Sequence, residues 1–138
     1  MDRRTMLVAS AATAMPAGPS AWAHGQAPSA NDARSTAVKV IAIYDRPDDP
    51  EAFFRHYETV HAPLVKKTPG LQSFVLNRIT EDMFGGEPPY VLIAEMTYPD
   101  RTAFDAAMKS PENQAVGEDL LSFAKGKVRI VVADSAAA

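Results

Sequence analysis

The histidine at position 61 is the residue of this chain whose surroundings most favour chemistry. His61 lies in a run of apolar residues at helical spacing, four residues after Tyr57 and three before Leu64. An inward-facing imidazole can act as a general base, a hydrogen-bond donor or a ligand. The alternative is a structural histidine bonded to a backbone carbonyl that Pro63 leaves free, and the residues alone favour that alternative.

Glu95 is a second candidate, because it interrupts a strand that is otherwise apolar. A buried carboxylate usually has a partner or a raised pKa, and Arg78 or Arg129 would be its structural partner. In the catalytic interpretation, Glu95 and Tyr57 orient His61 or the ligand. Ligand pockets are mainly apolar with a few polar groups. The predicted pocket residues are Phe53, Phe54, Tyr57, His61, Leu64 and Asn77.

Motifs for metal, nucleotide or covalent chemistry are missing from the sequence. His56 and His61 are five residues apart, which is the wrong spacing for shared metal ligation on an α-helix, so no metal site is predicted. There is no H-E-x-x-H, no phosphate-binding loop and no Gly-x-Ser-x-Gly, and the chain has no cysteine. No cofactor is predicted, since neither histidine stands in a haem motif.

The order of the predicted elements is β-α-β-β-α-β. The predicted strands cover residues 38–44, 71–79, 90–98 and 127–134, and the helices begin after Asp49, Asp100 and Ser110. This order predicts an α+β, ferredoxin-like fold, with a four-stranded antiparallel sheet and two helices on one face, the second of which restarts at Ser110. Pro63 lacks the N–H that would bond the Thr59 carbonyl, so the first helix is expected to kink or break near His61.

The predicted sheet is apolar on both faces. A sheet covered by helices on one side only should carry polar residues on the other side. Here the second face also carries large aliphatic residues, which are Ile41, Ile43, Val91, Ile93 and Val131. Such a face needs a second cover, so we expect a homodimer in which two sheets pack face to face.

The first 23 residues are predicted to be an export signal. Arg3-Arg4 precedes a short apolar stretch at 5–15, and Ala21-Trp22-Ala23 has the form of a cleavage site. The arginine pair before Met6-Leu7 resembles a twin-arginine signal, although Asp2 replaces the usual Ser or Thr. The alternatives are the general secretory route and a disordered Ala-rich tail. The predicted location is periplasmic or secreted, with cleavage near Ala23.

Cleavage would leave a linker at 24–37, one domain at 38–134 and a tail at 135–138. The mature chain would carry 12 basic and 16 acidic residues, a net charge of −4. That charge argues against nucleic acid or an anionic membrane as a partner. Without cysteine, an exported chain relies on its core or on a partner chain for stability.

The chain resembles the EthD family of dimeric α+β-barrel proteins. The matching segments are Phe54-Arg55-His56-Tyr57, His61-Ala62-Pro63-Leu64 and Pro69-Gly70-Leu71, with further matches at 94–100 and 110–112. The resemblance implies a ferredoxin-like fold, a face-to-face dimer and a small pocket between the sheet and the helices. His61 matches the family histidine.

The family takes its name from ethyl tert-butyl ether degradation beside a cytochrome monooxygenase system, and that association does not settle a reaction. Relatives on this fold include cofactor-free quinol-forming monooxygenases, polyketide cyclases, muconolactone isomerases and haem-degrading enzymes, and fold analogy does not choose among them. Our first hypothesis is an exported homodimer that binds a small apolar or aromatic molecule. In it, His61 would shuttle a proton during oxidation, as in a cofactor-independent monooxygenase, or during isomerisation or cyclisation. Our second hypothesis is a non-catalytic protein that sequesters or delivers such a molecule.

Overall fold

The computed structural model describes residues 36–137, and it forms one antiparallel sheet with helices on one face. The strand order across the sheet is β2-β3-β1-β4. The strands are β1 (Ala37–Asp45), β2 (Ser73–Arg78), β3 (Tyr90–Tyr98) and β4 (Val128–Ser135). The helices are α1 (Pro50–His56), a π-helical segment (Tyr57–His61), α2 (Ala62–Val65), α3 (Arg101–Met108) and α4 (Pro111–Ala124). The predicted α+β, ferredoxin-like fold is confirmed, and the predicted export signal lies outside the described residues.

Side-chain caps fix where the helices begin. The side-chain oxygens of Asp49, Asp100 and Ser110 each accept a hydrogen bond from the backbone N–H three residues later, at 3.1, 2.8 and 3.1 Å. Pro50 and Pro111 then occupy first-turn positions, where a missing N–H costs nothing. These local signals are why the helix starts predicted from the sequence are confirmed.

The hydrophobic core lies between the sheet and the helices. Ala42 and Tyr44 of β1 stand opposite Ala94 and Leu92 of β3, and all four side chains are buried. Since side chains alternate along a strand, these positions share the face that the helices cover. The helical segments add Phe53, Tyr57, Ala62 and Ala124 to the same cluster.

The opposite face of the sheet is not covered by any helix of residues 36–137 and is partly apolar. Ile41 of β1 lies between Glu95 of β3 and Val131 of β4, and Ile43 lies beside Ile93. Val131 is 43% exposed, so this face presents aliphatic side chains to solvent in a single chain. No helix within residues 36–137 has the length and apolar character needed to cross a membrane.

The sequence predicted a kink or a break of the first helix near His61; the helix does not break there, but a π-helical segment that ends at His61 interrupts its regular α-helical bonding. The helix runs on to Val65 through the π-helical segment, in which the Ala62 N–H donates to the Tyr57 carbonyl five residues earlier. Pro63 has no N–H to donate, and its ring would collide with the preceding turn of a regular α-helix. The wider π turn makes room for that ring without ending the helix.

Candidate functional site

A cavity of about 190 Å³ lies between the helix-covered face of the sheet and the helices. Most of its wall is aliphatic or thioether, from residues that include Val40, Ala42, Val65, Met96, Met108, Val116 and Leu120. The polar side chains that line it are Tyr44, Tyr57, His61, Thr68, Tyr98 and Asn113. An apolar cavity with a few polar groups is the usual form of a small-molecule site.

His61 enters this cavity from the π-helical segment and is held by Asp119 of α4. Its side chain is almost fully buried, and its Nδ1 lies 2.8 Å from Asp119 Oδ2. Asp119 occupies the apolar side of α4, beside Leu120 and four residues before Phe123, whose ring packs 5.0 Å from the His61 ring. The carboxylate therefore reaches the buried imidazole from the neighbouring helix.

His56 binds the other oxygen of the same carboxylate. Its Nε2 lies 2.9 Å from Asp119 Oδ1, and a third of its side chain is exposed. A π turn closes through bonds between residues five apart, so His56 and His61 lie on the same side of the helix. The sequence analysis took this spacing as wrong for shared metal ligation on an α-helix; the π turn nevertheless brings both imidazoles to one carboxylate, and the absence of a metal site stays a prediction. Within residues 36–137, no group of three or more His, Cys, Asp or Glu side chains is arranged to hold a metal ion.

The contact with Asp119 sets which nitrogen of His61 is available. A carboxylate accepts hydrogen bonds, so Nδ1 carries the proton and Nε2 is left as the acceptor for a molecule in the cavity. Burial lowers the pKa of His61, and the hydrogen bond that Nδ1–H donates to Asp119 opposes this shift without reversing it. At neutral pH the imidazole is therefore neutral and oriented, which is the state that a general base requires.

The lowered pKa of His61 makes folding stability depend on pH. Just below about pH 6.5, His61 becomes protonated in the unfolded state but stays largely neutral in the folded state. The unfolded state therefore binds more protons. We expect the free energy of unfolding to fall as the pH drops from about 6.5 towards the lowered folded pKa, by at most about 1.4 kcal/mol per pH unit from this group. Urea unfolding at several pH values measures this slope, and His61→Gln should reduce it. An equal slope in the variant would contradict the assignment.

Two buried tyrosines stand beside His61 in the cavity wall. The ring centroid of Tyr57 lies 5.1 Å from that of His61 and 5.5 Å from that of Tyr44. Burial raises the pKa of Tyr57 to about 12 and raises the pKa of Tyr44 as well. Both hydroxyls therefore keep their protons near neutral pH and remain hydrogen-bond donors. Tyr57 was predicted from the sequence as a polar pocket group; Tyr44 was not.

Glu95 lies outside the cavity, on the open face of the sheet. Its carboxylate accepts from the Asn77 side-chain amide at 2.9 Å and from Lys39 Nζ at 3.2 Å. These two contacts hold the pKa of Glu95 below its usual value, and the hydrogen bond from Asn77 has the larger effect. Neither Arg78 nor Arg129 is its partner, contrary to the sequence-based expectation. The structure therefore does not bring Glu95 to His61.

Of the six predicted pocket residues, only Tyr57 and His61 line the cavity. Phe53 is buried in the aromatic core, and Phe54 lies under the Arg78 guanidinium at 4.1 Å. Leu64 borders a separate cleft on the surface, and Asn77 is on the open face of the sheet.

The residues of α4 that contribute to the site were not predicted from the sequence. Asp119 interrupts an apolar stripe formed by Val116, Leu120 and Phe123, and a carboxylate at such a position was the available signal. Gly117 also lines the cavity.

Three solved structures of low identity share the fold. A dimeric ferredoxin-like protein of unknown function from Jannaschia sp. is 16% identical, with a TM-score of 0.53, over 72% of this chain and 99% of that one. A hydroxynitrile lyase from Passiflora edulis is 10% identical, with a TM-score of 0.60, over 74% and 95%. SnoaB, a cofactor-independent oxygenase from Streptomyces nogalater, is 14% identical, with a TM-score of 0.53, over 75% and 96%. The fold thus supports enzymes as well as proteins of unknown function.

Two further proteins are more than 30% identical to this chain. An uncharacterized 11.0 kDa protein in the thcB-thcC intergenic region of Rhodococcus erythropolis is 32% identical over 97 residues, which is 70% of this chain and 92% of that protein. The crystal structure of an EthD family protein from Bacillus halodurans is 36% identical, with a TM-score of 0.70, over 72% of this chain and 99% of that one. The EthD domain profile matches residues 46–127. The chain therefore belongs to the EthD family.

Proposed function

We propose that the protein binds a small apolar or aromatic molecule in this cavity and that His61 moves a proton to or from it. The observation that carries the proposal is the buried pair of His61 Nδ1 and Asp119 Oδ2, 2.8 Å apart. This pair occupies Nδ1, so Nε2 is the nitrogen of His61 that is left to accept a proton from a molecule in the mostly apolar cavity. A positioned base of this kind suits an isomerase, a cyclase or a cofactor-independent oxidation that begins with proton removal.

Enzymes on the same fold support this proposal, since a lyase and a cofactor-independent oxygenase are among its structural neighbours. The alternative is a protein that binds and delivers the molecule without changing it. The substitution His61→Gln separates the two: a base mechanism loses turnover and keeps binding, whereas a carrier keeps its delivery and has no turnover to lose. In either case, mass spectrometry of small molecules that co-purify with the protein gives the starting set of ligands.

Gly117 offers a way to fill the cavity without disturbing the fold. No heavy atom would lie within 4 Å of a Cβ at this position, and glycine in a helix interior costs about 0.8–1 kcal/mol relative to alanine. We expect Gly117→Leu to fold at least as stably as the wild type while its side chain occupies the cavity. Calorimetric titration with the co-purified molecule should then show at least about a tenfold loss of affinity.

Gly117→Ala is the matched control, because it gains the helix propensity but adds only one methyl group. It should keep the affinity and gain about 0.8–1 kcal/mol in urea unfolding. Equal affinity in the wild type and in Gly117→Leu would place the ligand elsewhere and contradict the proposal.

We further propose that the protein is a homodimer joined through the open face of the sheet. A dimeric neighbour on this fold and the aliphatic residues of that face support the proposal. Ile93→Glu places a charge at the centre of this face, and we expect it to convert a wild-type dimer into a monomer in sedimentation experiments. Leu121→Glu, at an exposed position of α4, should remain dimeric. A monomeric wild type at micromolar concentration, or a dimeric Ile93→Glu, would contradict this arrangement.

We also propose that the protein is exported, because its sequence carries paired arginines near the start and an Ala-Trp-Ala sequence after them. Fractionation of cells that express the full chain tests it. A shorter chain beginning near His24 in the periplasm or medium supports export. Full-length protein confined to the cytoplasm contradicts it.

A further inference from the structure

The polar groups of the cavity are concentrated on one part of its wall. Tyr44, Tyr57 and His61 stand in succession, with ring centroids 5.5 and 5.1 Å apart, and all three line the cavity. The side chains of Tyr44 and Tyr57 also interact through their hydroxyl groups. A molecule that contacts His61 therefore lies beside a pair of tyrosines.

This part of the wall offers one acceptor next to hydroxyl donors. Asp119 holds Nδ1 of His61, so Nε2 is the nitrogen left to act as an acceptor. Tyr57 stays protonated because burial raises its pKa to about 12, so its O–H can donate to a ligand oxygen. One ligand group matches both partners at once: a hydroxyl that gives its proton to the imidazole and then accepts a hydrogen bond as an anion.

The charge balance of the cavity limits the ligand further. None of the described residues that line it is lysine or arginine. A ligand that arrives as an anion would therefore enter a low-dielectric site without a countercharge, which is costly. A neutral ligand that ionises inside the cavity is balanced in charge, because its proton converts His61 to an imidazolium as the ligand oxygen becomes an anion.

We propose that the cavity takes a small acidic phenol and holds it as the phenolate, with its proton on His61 and its oxygen hydrogen-bonded to Tyr57. In this step the ligand O–H bond breaks, the proton forms a bond to Nε2, and the electron pair stays on the ligand oxygen. Asp119 stabilises the imidazolium, and Tyr44 holds the Tyr57 hydroxyl in place through a hydrogen bond between the two hydroxyl groups. No oxidant is consumed. This inference rests on the proposed function and names the ligand class of the same site.

The size of the cavity is consistent with a single ring. A cavity of roughly 150 Å³ is enough for benzene in an engineered protein, and the cavity here is about 190 Å³. The thioethers of Met96 and Met108 line the cavity and suit contact with an aromatic ring.

The test uses the full chain and para-nitrophenol, whose anion absorbs at a longer wavelength than the neutral phenol. We expect the bound probe to show the phenolate band at a pH where the free probe is still mostly neutral. Tyr57→Phe should lower the ratio of ionised to neutral bound probe about tenfold or more, because a hydrogen bond to a charged group is lost. Tyr90→Phe is the control, since Tyr90 is partly exposed on β3 and is not among the residues that line the cavity, and it should leave this ratio unchanged.

The possible outcomes separately test the phenolate, the role of Tyr57 and the cavity as the binding site. If para-nitrophenol binds but stays neutral, the phenolate inference is overturned, while binding that Gly117→Leu abolishes still supports the cavity. Equal effects of Tyr57→Phe and Tyr90→Phe would overturn the role of Tyr57. Failure of both para-nitrophenol and the non-ionisable para-nitroanisole to bind would overturn the inference together with the aromatic ligand of the proposed function. Urea unfolding of each variant shows that the fold is kept.

Discussion

Replacing Asp119 with asparagine is expected to lower the equilibrium constant for proton transfer from a bound phenol to His61 by about ten- to a hundredfold. The wild-type carboxylate accepts hydrogen bonds from both imidazoles, His61 at 2.8 Å and His56 at 2.9 Å. An amide has one oxygen, so one imidazole must face its NH₂ group and change tautomer. A hydrogen bond to a charged group is worth about 1.5–3 kcal/mol, which corresponds to this range in the equilibrium constant.

The absorbance of bound para-nitrophenol measures that equilibrium, and urea unfolding measures the accompanying loss of stability, which we expect to be about 1–3 kcal/mol. Glu118→Gln is the matched control, because the neighbouring Glu118 on α4 bonds only the exposed Gln114 side chain. It should change neither quantity. If Asp119→Asn and Glu118→Gln behave alike, the pairing of Asp119 with His61 does not act on proton transfer.

Truncating Phe53 to alanine is expected to be the most destabilising single change in α1. The Phe53 ring packs against Tyr44 at 5.4 Å, Tyr57 at 5.9 Å and Phe123 at 5.7 Å, and its side chain is buried. Removal of a buried phenyl ring leaves a cavity and costs about 3–5 kcal/mol. For a domain of this size, that loss corresponds to a fall in Tm of at least about 10 °C.

Phe54→Ala provides a control of the same chemistry at the next position. Phe54 is only partly buried and lies under Arg78, so its loss should cost about 1 kcal/mol or less. Calorimetry of both variants makes the comparison. Because neither ring lines the cavity, the folded fraction of both variants should bind ligand as the wild type does. Equal destabilisation by the two substitutions, or a loss of affinity in Phe54→Ala, would contradict this assignment of core and pocket.

The fold was largely predictable because its signals are local. Asp49, Asp100 and Ser110 cap helices through bonds to amides three residues away, and a proline follows two of them. The alternation of apolar residues in β1 and β3 is likewise visible within each strand. Such patterns need no knowledge of distant contacts.

The site was less predictable because its central contact is distant in sequence. His61 and Asp119 are 58 residues apart, and a periodic pattern in α1 carries no information about which residue of α4 faces it. The π-helical segment adds a second difficulty, because helical spacing rules assume 3.6 residues per turn and so separate His56 from His61. Glu95 shows the reverse error: an isolated carboxylate in an apolar strand suggested function, yet it pairs with Lys39 and Asn77 on the open face.

The central claim is that His61 is a neutral base at neutral pH, with its proton on Nδ1 and its lone pair on Nε2 directed to the ligand. Nitrogen-15 NMR of the imidazole side chains measures this directly, because the chain has three histidines and His61→Gln identifies the signals of His61. We predict the Nδ1–H tautomer, a pKa below that of an ordinary histidine, and a protonated Nε2 when para-nitrophenol binds. A neutral Nε2–H tautomer, or an imidazolium already present at neutral pH in the free protein, would contradict the account.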